Sequence, residues 1–240
     1  MSPIVLLALV LASPAVAPSI GAAPAPPGRP GERRLPRRQR WLWRERPGPD
    51  TSCSARSEPE VVSGLRAALD GAGRRDVLVL AHHPLVSGGP HGGTFGVKQH
   101  LFPLTEWRKA LYLPLPIVGS LYPLARGEGV VPQDIPSERY RRMRDALGSA
   151  TRGRPPLAWA SGHEHGLQVI ESPEWGRVLV SEGGIYGHTS YVRRVEGSLY
   201  GAARAGFVRV DFPPGGPPRL GVVEVEADGR YREAYAKRIE

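Results

Sequence analysis

Two histidine clusters each follow a short apolar run. The run DVLVLA (76–81) leads into His82 and His83, and the run PLAWAS (156–161) leads into GHEH (162–165). Short continuous apolar runs are typical of strands buried on both faces. Ligands collect at the carboxyl ends of strands in open α/β sheets. Because neutral imidazole is a good ligand for zinc, iron and related ions, both strand ends are candidates for a metal site.

The second cluster has a spacing that suits two metal ions. In a tight turn, the i, i+2 spacing of His163 and His165 lets the two rings face adjacent ions. Gly162 suits a sharp exit from a strand, since a residue without Cβ adopts positive φ and allows close backbone approach. We therefore predict that His82, His163 and His165 converge, with the imidazole nitrogens of His82 and His163 within about 7 Å of each other.

Together these segments resemble the calcineurin-like metallophosphoesterases, in particular their purple-acid-phosphatase-like branch. The matching segments are VLVLAHHPLVSGGPHGG (77–93) and SGHEHG (161–166). The resemblance extends over roughly residues 38–240 and includes later strands that end in SEGG (181–184). A GHxH motif alone is weak, but the two motifs about 80 residues apart, each after a strand, form a specific combination.

The resemblance implies roles for four histidines. His82 and His163 would be ligands of one metal ion, and His165 would be a ligand of the other. His91 matches a histidine that contacts the phosphate or protonates the leaving group. The implied cofactors are iron, zinc or manganese in a binuclear site, and the implied substrate is a small-molecule phosphoester.

The remaining histidines of interest have plainer interpretations. His83 is next to an expected ligand, and we interpret it as a packing or supporting residue. His100 and His188 stand outside the motifs and are interpreted as ordinary core or surface residues.

Three further motifs of the family, DxH, GDxxD and GNH(D/E), do not occur in this sequence. They supply the aspartate that bridges the two metals and further ligands, and three neutral imidazoles do not hold two mutually repelling dications. We therefore expect an α/β (α+β) fold that is the C-terminal half of an αββα sandwich, with a mixed β-sheet flanked by helices. Catalysis should be weak or absent unless Glu164, Asp134 or Glu182 replaces the bridge.

The sequence divides into three parts. Residues 1–25 resemble a signal peptide, because IVLLALVLASPAVA (4–17) is an apolar run that ends in small residues, and this predicts export to the periplasm, the cell surface or the medium. Residues 26–50 form a Pro/Arg-rich linker, and residues 51–240 form the partial phosphoesterase domain. The abrupt junction at RWLWRERPGPD (40–50) fits a truncated gene, an internal deletion or a mis-called start.

Charge and cysteine content exclude some classes of function. The net charge of +9 is concentrated in residues 29–46, which hold eight arginines and two glutamates. We interpret this stretch as a solvated linker, and rank a nucleic-acid or membrane-surface binder last. The single cysteine, Cys53, excludes an internal disulfide and a CxxC site.

Periodicity predicts the elements that position the histidines. Residues 58–73 have helical spacing with Ser57 and Glu60 as a capping box, and a second helix is expected near residues 137–147. Between the histidine strands lies a long excursion, residues 88–136, rich in Gly, Pro and aromatic residues. Four further strands are expected, the last two joined by PPGGPP: 167–171, 177–181, 206–212 and 220–227.

Three functions therefore stay open at this point. The first is a metal-dependent phosphoesterase, and the second is a non-catalytic remnant that binds one metal ion through three histidines. The third is the basic binder that acts through residues 29–46. Because half of the family fold is missing from the sequence, exposed sheet edges are expected to recruit the missing N-terminal half or a second copy of the chain.

Overall fold

The computed structural model of the chain describes residues 5–8, 57–108, 110–181 and 189–239. The Pro/Arg-rich linker, Cys53, Glu182 and His188 lie outside the described residues. Within them, the four α-helices are α1 Glu58–Gly71, α2 Val97–Leu101, α3 Leu121–Gly127 and α4 Glu138–Thr151. The strands are β1 Val5–Ala8, β2 Val77–Ala81, β3 Ala158–Ser161, β4 Leu167–Ser172, β5 Gly176–Ser181, β6 Ser198–Ala202, β7 Gly206–Asp211, β8 Arg219–Val225 and β9 Tyr231–Arg238.

The strands form two sheets. The larger has the order β1-β2-β3-β5-β4-β6, in which β1, β2, β3 and β5 are parallel and β4 is antiparallel to both β5 and β6. The smaller is the antiparallel sheet β7-β8-β9. The prediction of a mixed α/β fold, with a mixed sheet flanked by helices, is confirmed.

The central strands β2, β3, β4 and β5 of the six-stranded sheet are covered on both faces. One face packs against α1 and α4, which contribute Leu65, Leu69, Met143 and Leu147 to a core that they share with β2, β3, β4 and β5. The other face packs against the three-stranded sheet through residues such as Leu220. This double burial explains why β2 and β3 are continuous apolar runs rather than alternating ones.

The predicted helices and strands are all present, and their ends differ from the predicted ones by a few residues. The capping box at α1 was wrong in its details, because the Ser57 hydroxyl donates to Glu60 Oε1 (3.0 Å) and does not cap a backbone N–H. Strands β6 and β9 were not predicted. In β9 most side chains are exposed and many are charged, so the strand depends on its pairing with β8 rather than on an apolar pattern.

The segment expected to direct export has a place in the sheet. Val5–Ala8 form the edge strand β1, which pairs in parallel with β2 from Val5↔Val77 to Ala8↔Leu80. The rest of residues 1–25 lies outside the described residues, so export stays a prediction. No helix among the described residues is long and apolar enough to cross a membrane.

Candidate metal centre

The two predicted histidine strands are neighbours. Strands β2 and β3 pair in parallel, with Ala81 opposite Ser161 at their carboxyl ends. The Gly162 N–H donates to the carbonyl oxygen of His82 (3.1 Å), which continues the pairing one step beyond the strands. The chain segments that follow β2 and β3 therefore begin side by side, although about 80 residues separate them in sequence.

Three imidazoles meet at this edge. The distance from His82 Nε2 to His163 Nδ1 is 3.2 Å, well inside the predicted limit. One nitrogen each of His82, His83 and His163 lies within 4.8 Å of the other two. Two nitrogens bound to one tetrahedral zinc ion at about 2.0–2.1 Å lie about 3.4 Å apart, so this donor set fits a single transition-metal ion.

The grouping differs from the predicted set in one residue. His83, interpreted from sequence as a packing residue, belongs to the group, and its ring centroid lies 4.4 Å from that of His163. His165 is not a member of the group found among the described residues. His163 adopts φ +69°, and the turn continues with short hydrogen bonds from Glu164 N to Gly162 O and from Gly166 N to Glu164 O, both 2.8 Å.

Burial keeps His163 neutral. Burial lowers the pKa of its imidazole well below the ordinary value, and the charges of His91, His83, His82 and His165 lower it further. A neutral imidazole is the form that binds a metal. The site is therefore set up for a ligand role at neutral pH.

The His91 ring packs against this group, and its Nδ1 contacts Asp134. Its ring centroid is 4.0 Å from that of His163, and its Nδ1 is 2.9 Å from Asp134 Oδ1. Arg126 Nη2 lies 3.2 Å from the same Nδ1, so this nitrogen faces the Asp134–Arg126 pair. The sequence motif predicted His91, and the structure adds the partner that orients it.

Asp134 and Arg126 form a buried ion pair under His91. Asp134 is fully buried, with 0% of its side chain exposed, and it accepts from Arg126 Nε at 2.7 Å and from Arg126 Nη2. Burial by itself raises the pKa of the Asp134 carboxyl, but hydrogen bonds from Arg126 and His91 outweigh burial and lower the pKa. The pKa of Arg126 is raised, because bonding to Asp134 outweighs its own burial. Both side chains are therefore charged.

A second buried network holds the loop that carries His91. Glu164 Oε1 accepts from the Ser87 hydroxyl at 2.8 Å and from the His91 backbone N–H at 2.9 Å. Gln168 joins the network, because its Oε1 accepts from Gly88 N (2.8 Å) and its Nε2 donates to Ser87 Oγ (3.2 Å). Burial raises the pKa of Glu164. These contacts fix the loop against the turn that carries His163.

The loop also needs its glycines. A Cβ at Gly88 would lie 1.9 Å from the carbonyl oxygen of Arg193, and a Cβ at Gly89 would lie 2.3 Å from Glu164 Oε2. Both distances are impossible for real atoms, so the GGPHGG sequence is required by close packing around the site.

The carboxylates that were considered as replacements for the missing bridge have other contacts. Asp134 binds Arg126 and His91, and Glu164 binds Ser87 and the loop backbone. Glu182 lies outside the described residues. Sequence reasoning missed Arg126 and Gln168, and no motif marks either residue. His100 Nδ1 lies 3.0 Å from Ser120 Oγ.

Comparison with known proteins gives no match to a protein-family model and none to a curated protein. Among solved structures, the chain is similar to GAP50, the anchor in the inner membrane complex of Plasmodium, with a TM-score of 0.46 and 13% identity over 76% of this chain and 42% of that one. It is also similar to the purple acid phosphatase PPD1 from yellow lupin (Lupinus luteus) seeds, with a TM-score of 0.38 and 12% identity over 73% of this chain and 28% of that one. The chain thus spans less than half the length of either structure.

Proposed function

We propose that this chain carries the histidine part of a metal-dependent phosphoesterase site, with one transition-metal ion held by His82, His83 and His163. The observation that supports this most directly is the 3.2 Å approach of His82 Nε2 to His163 Nδ1 at the ends of two parallel strands. Zinc, iron and manganese are the metals that the family resemblance suggests. A bound ion of this kind supplies positive charge that polarises a phosphoryl oxygen.

The side chains of this chain would orient the substrate and move a proton. His91 faces the three-histidine group, with its Nδ1 held by Asp134, so its Nε2 is the atom that would give a proton to the leaving oxygen. Asp134 keeps the ring of His91 in one orientation through its contact with Nδ1. Arg126 in turn keeps Asp134 ionised and in place.

A non-catalytic metal-binding role is the second candidate, and one observation favours it. The group of three possible ligands found among the described residues contains only imidazoles and no carboxylate. Such a set holds one ion but supplies no bridge for a second. In this case the metal would stabilise the fold, because binding to the native state alone adds to the free energy of unfolding.

The catalytic proposal also implies a missing contribution. The sequence has no DxH, GDxxD or GNH motif, so the carboxylate ligands would come from a second polypeptide segment that packs on the same sheet edge. The proposed substrate is a small phosphoester, and the proposed location is outside the cytoplasm, on the sequence evidence of residues 4–17.

Metal binding can be tested with the full chain. Titration calorimetry with Zn²⁺ and Mn²⁺ should give about one ion per chain, as expected for three ligands at one centre. His82→Ala and His163→Asn should abolish binding, and Asn is chosen because it tolerates the positive φ at position 163. His83→Ala and His165→Ala form the decisive pair: the structure predicts loss with the first and retention with the second. The reverse result would restore the ligand set predicted from sequence.

Hydrolysis of p-nitrophenyl phosphate by the metal-loaded chain separates the two functions. Turnover that a chelator removes, and that His91→Ala lowers by about 10²–10⁴-fold, would support the phosphoesterase. Metal binding without turnover would support the structural role. If a fused domain with the three missing motifs still gives no turnover, the phosphoesterase proposal is wrong.

A further inference from the structure

The excursion between β2 and α4 has its large apolar side chains on the outside. Of the fourteen large hydrophobic residues that are exposed in the described part of the chain, eleven lie in residues 97–130. Trp107 is 79% exposed, Ile117 89% and Leu121 63%. Scattered exposed apolar residues are normal in soluble proteins, but a concentration of this kind marks a surface that something else covers.

The buried positions of the same segment have the opposite character. Within the described residues of 97–130, the buried ones are Thr105, Gly119, Pro123 and Arg126, and none is a large aliphatic or aromatic residue. Arg126 is buried because it binds Asp134 beneath His91. A segment that folded only to bury apolar area would show the reverse arrangement.

The segment is nevertheless packed as one unit. Leu115 N–H donates to the carbonyl oxygen of Leu101 (2.8 Å), and His100 Nδ1 lies 3.0 Å from Ser120 Oγ. The rings of Phe102 and Tyr112 lie with their centroids 5.6 Å apart. These contacts join α2 to the turns before α3, so the exposed side chains belong to one surface and not to a loose loop.

The chemistry of this surface matches a lipid headgroup region. The stretch ALYLPLPIVGSLYPLA (110–125) contains no charged residue and directly follows Arg108 and Lys109. The Arg108 guanidinium lies 5.7 Å from the Trp107 ring centroid, and the Lys98 ammonium lies 5.2 Å from that of Tyr112. Exposed aromatic rings with basic neighbours are typical of segments that lie at the bilayer interface.

The backbone of the segment restricts how deeply the segment can enter a lipid bilayer. Prolines at 103, 114, 116 and 123 interrupt it, α2 has five residues and α3 has seven. Irregular backbone exposed to the hydrocarbon core leaves polar groups unpaired, so a segment of this kind lies in the interface and does not span the bilayer. Lys98, Arg108 and Lys109 of the segment add attraction to an anionic surface.

We propose that residues 97–130 dock this protein on the surface of a bilayer that contains anionic phospholipid, with the apolar side chains of 110–125 at the boundary between headgroups and acyl chains. This binding does not depend on the metal site. We use the name histidine edge for the edge of the sheet that carries His82, His83 and His163. Docking places this edge close to the bilayer, since Arg126 of the same segment binds the Asp134 that holds His91.

The test is vesicle flotation of the full chain with a matched pair of variants. Trp107 and Tyr231 are exposed to nearly the same extent, 79% and 77%, but only Trp107 lies in the segment. With vesicles of phosphatidylcholine and 30% phosphatidylserine, Trp107→Glu should weaken partitioning by about ten- to a hundred-fold, the value of burying one large apolar side chain. Tyr231→Glu should leave it unchanged. Ile117→Glu repeats the test at a second position.

Several results would overturn the proposal. Flotation of Trp107→Glu and Ile117→Glu equal to that of the unaltered chain would assign any binding to another region, such as the arginines of residues 29–46. Failure of the unaltered chain to float would also reject it. If light scattering shows a dimer that Trp107→Glu dissociates while no variant floats, the surface is an interface between copies of this chain. Equal binding to vesicles of phosphatidylcholine alone would reject the role of anionic lipid.

Discussion

The edge of the sheet that carries His82, His83 and His163 buries polar side chains, whereas residues 97–130 expose large apolar ones. At the histidine edge the two buried carboxylates are held by named partners: Asp134 by Arg126, and Glu164 by Ser87 and the His91 backbone. In residues 97–130, eleven large apolar side chains are exposed. Burial of paired polar groups gives fixed geometry, whereas exposure of apolar groups leaves surface free for binding. Substitutions at the histidine edge should therefore lower the free energy of unfolding strongly, and substitutions of exposed side chains in residues 97–130 should change it little.

The largest effect should come from breaking the ion pair beneath His91. Asp134→Ala leaves the Arg126 guanidinium buried without its carboxylate, and we expect the free energy of unfolding to fall by about 3–5 kcal/mol. Chemical denaturation measures this value. Asp145→Ala, on the exposed side of α4, is the control and should stay within about 0.5 kcal/mol. A loss below about 1 kcal/mol for Asp134→Ala would mean that the pair is solvated.

A smaller loss should follow from removing the acceptor that holds the His91 loop. Glu164→Leu leaves the Ser87 hydroxyl and the His91 N–H without their acceptor, at a cost of about 2–3 kcal/mol. Hydrogen exchange of the peptide that contains His91 should become faster. Glu164→Gln keeps an acceptor oxygen and should cost less. Equal exchange rates in the unaltered chain and Glu164→Leu would show that the loop is held by other contacts.

The histidine edge should also make stability depend on pH. Burial lowers the pKa of His163 in the native state, so below the ordinary value near 6.5 the unfolded chain binds a proton that the native chain does not. Stability without metal should therefore be full above about pH 6.5 and fall as the pH decreases, by at most about 1.4 kcal/mol per pH unit for this one group. His163→Asn, measured by denaturation at pH 7 and pH 5, should have a shallower dependence. An unchanged dependence would assign it to other groups.

The smallest effect on the free energy of unfolding should be found in residues 97–130. Leu113 is 51% exposed, so Leu113→Ala should change the free energy of unfolding by less than about 0.5 kcal/mol. Leu167 in β4 is fully buried, and the same change there should cost about 2–5 kcal/mol. Thermal and chemical denaturation of the two variants measure the contrast directly. A loss above about 1 kcal/mol for Leu113→Ala would show that the surface is already packed in the isolated chain.

The elements around the site could be predicted because their signals are local. Apolar runs gave β2 and β3, helical spacing gave α1, and the His-rich ends of the runs indicated where ligands would collect. Strand β9 escaped prediction because four of its eight side chains are charged and its existence depends on pairing with β8. The Asp-Gly pair at 228–229, which lies in the turn between β8 and β9, was the available signal.

By itself, the sequence determined that His82 and His163 end two buried strands, since hydrophobic runs and turn residues act within a few positions along the chain. Only the tertiary structure showed that a nitrogen of His83 lies within 4.8 Å of nitrogens of His82 and His163, because the pairing of β2 with β3 brings distant parts of the sequence together. It also decided that Arg126 and Asp134, from a segment with no motif, stand behind His91. Those contacts join His91 to residues that lie 35 and 43 positions away along the sequence, and no local sequence pattern predicts contacts over such separations.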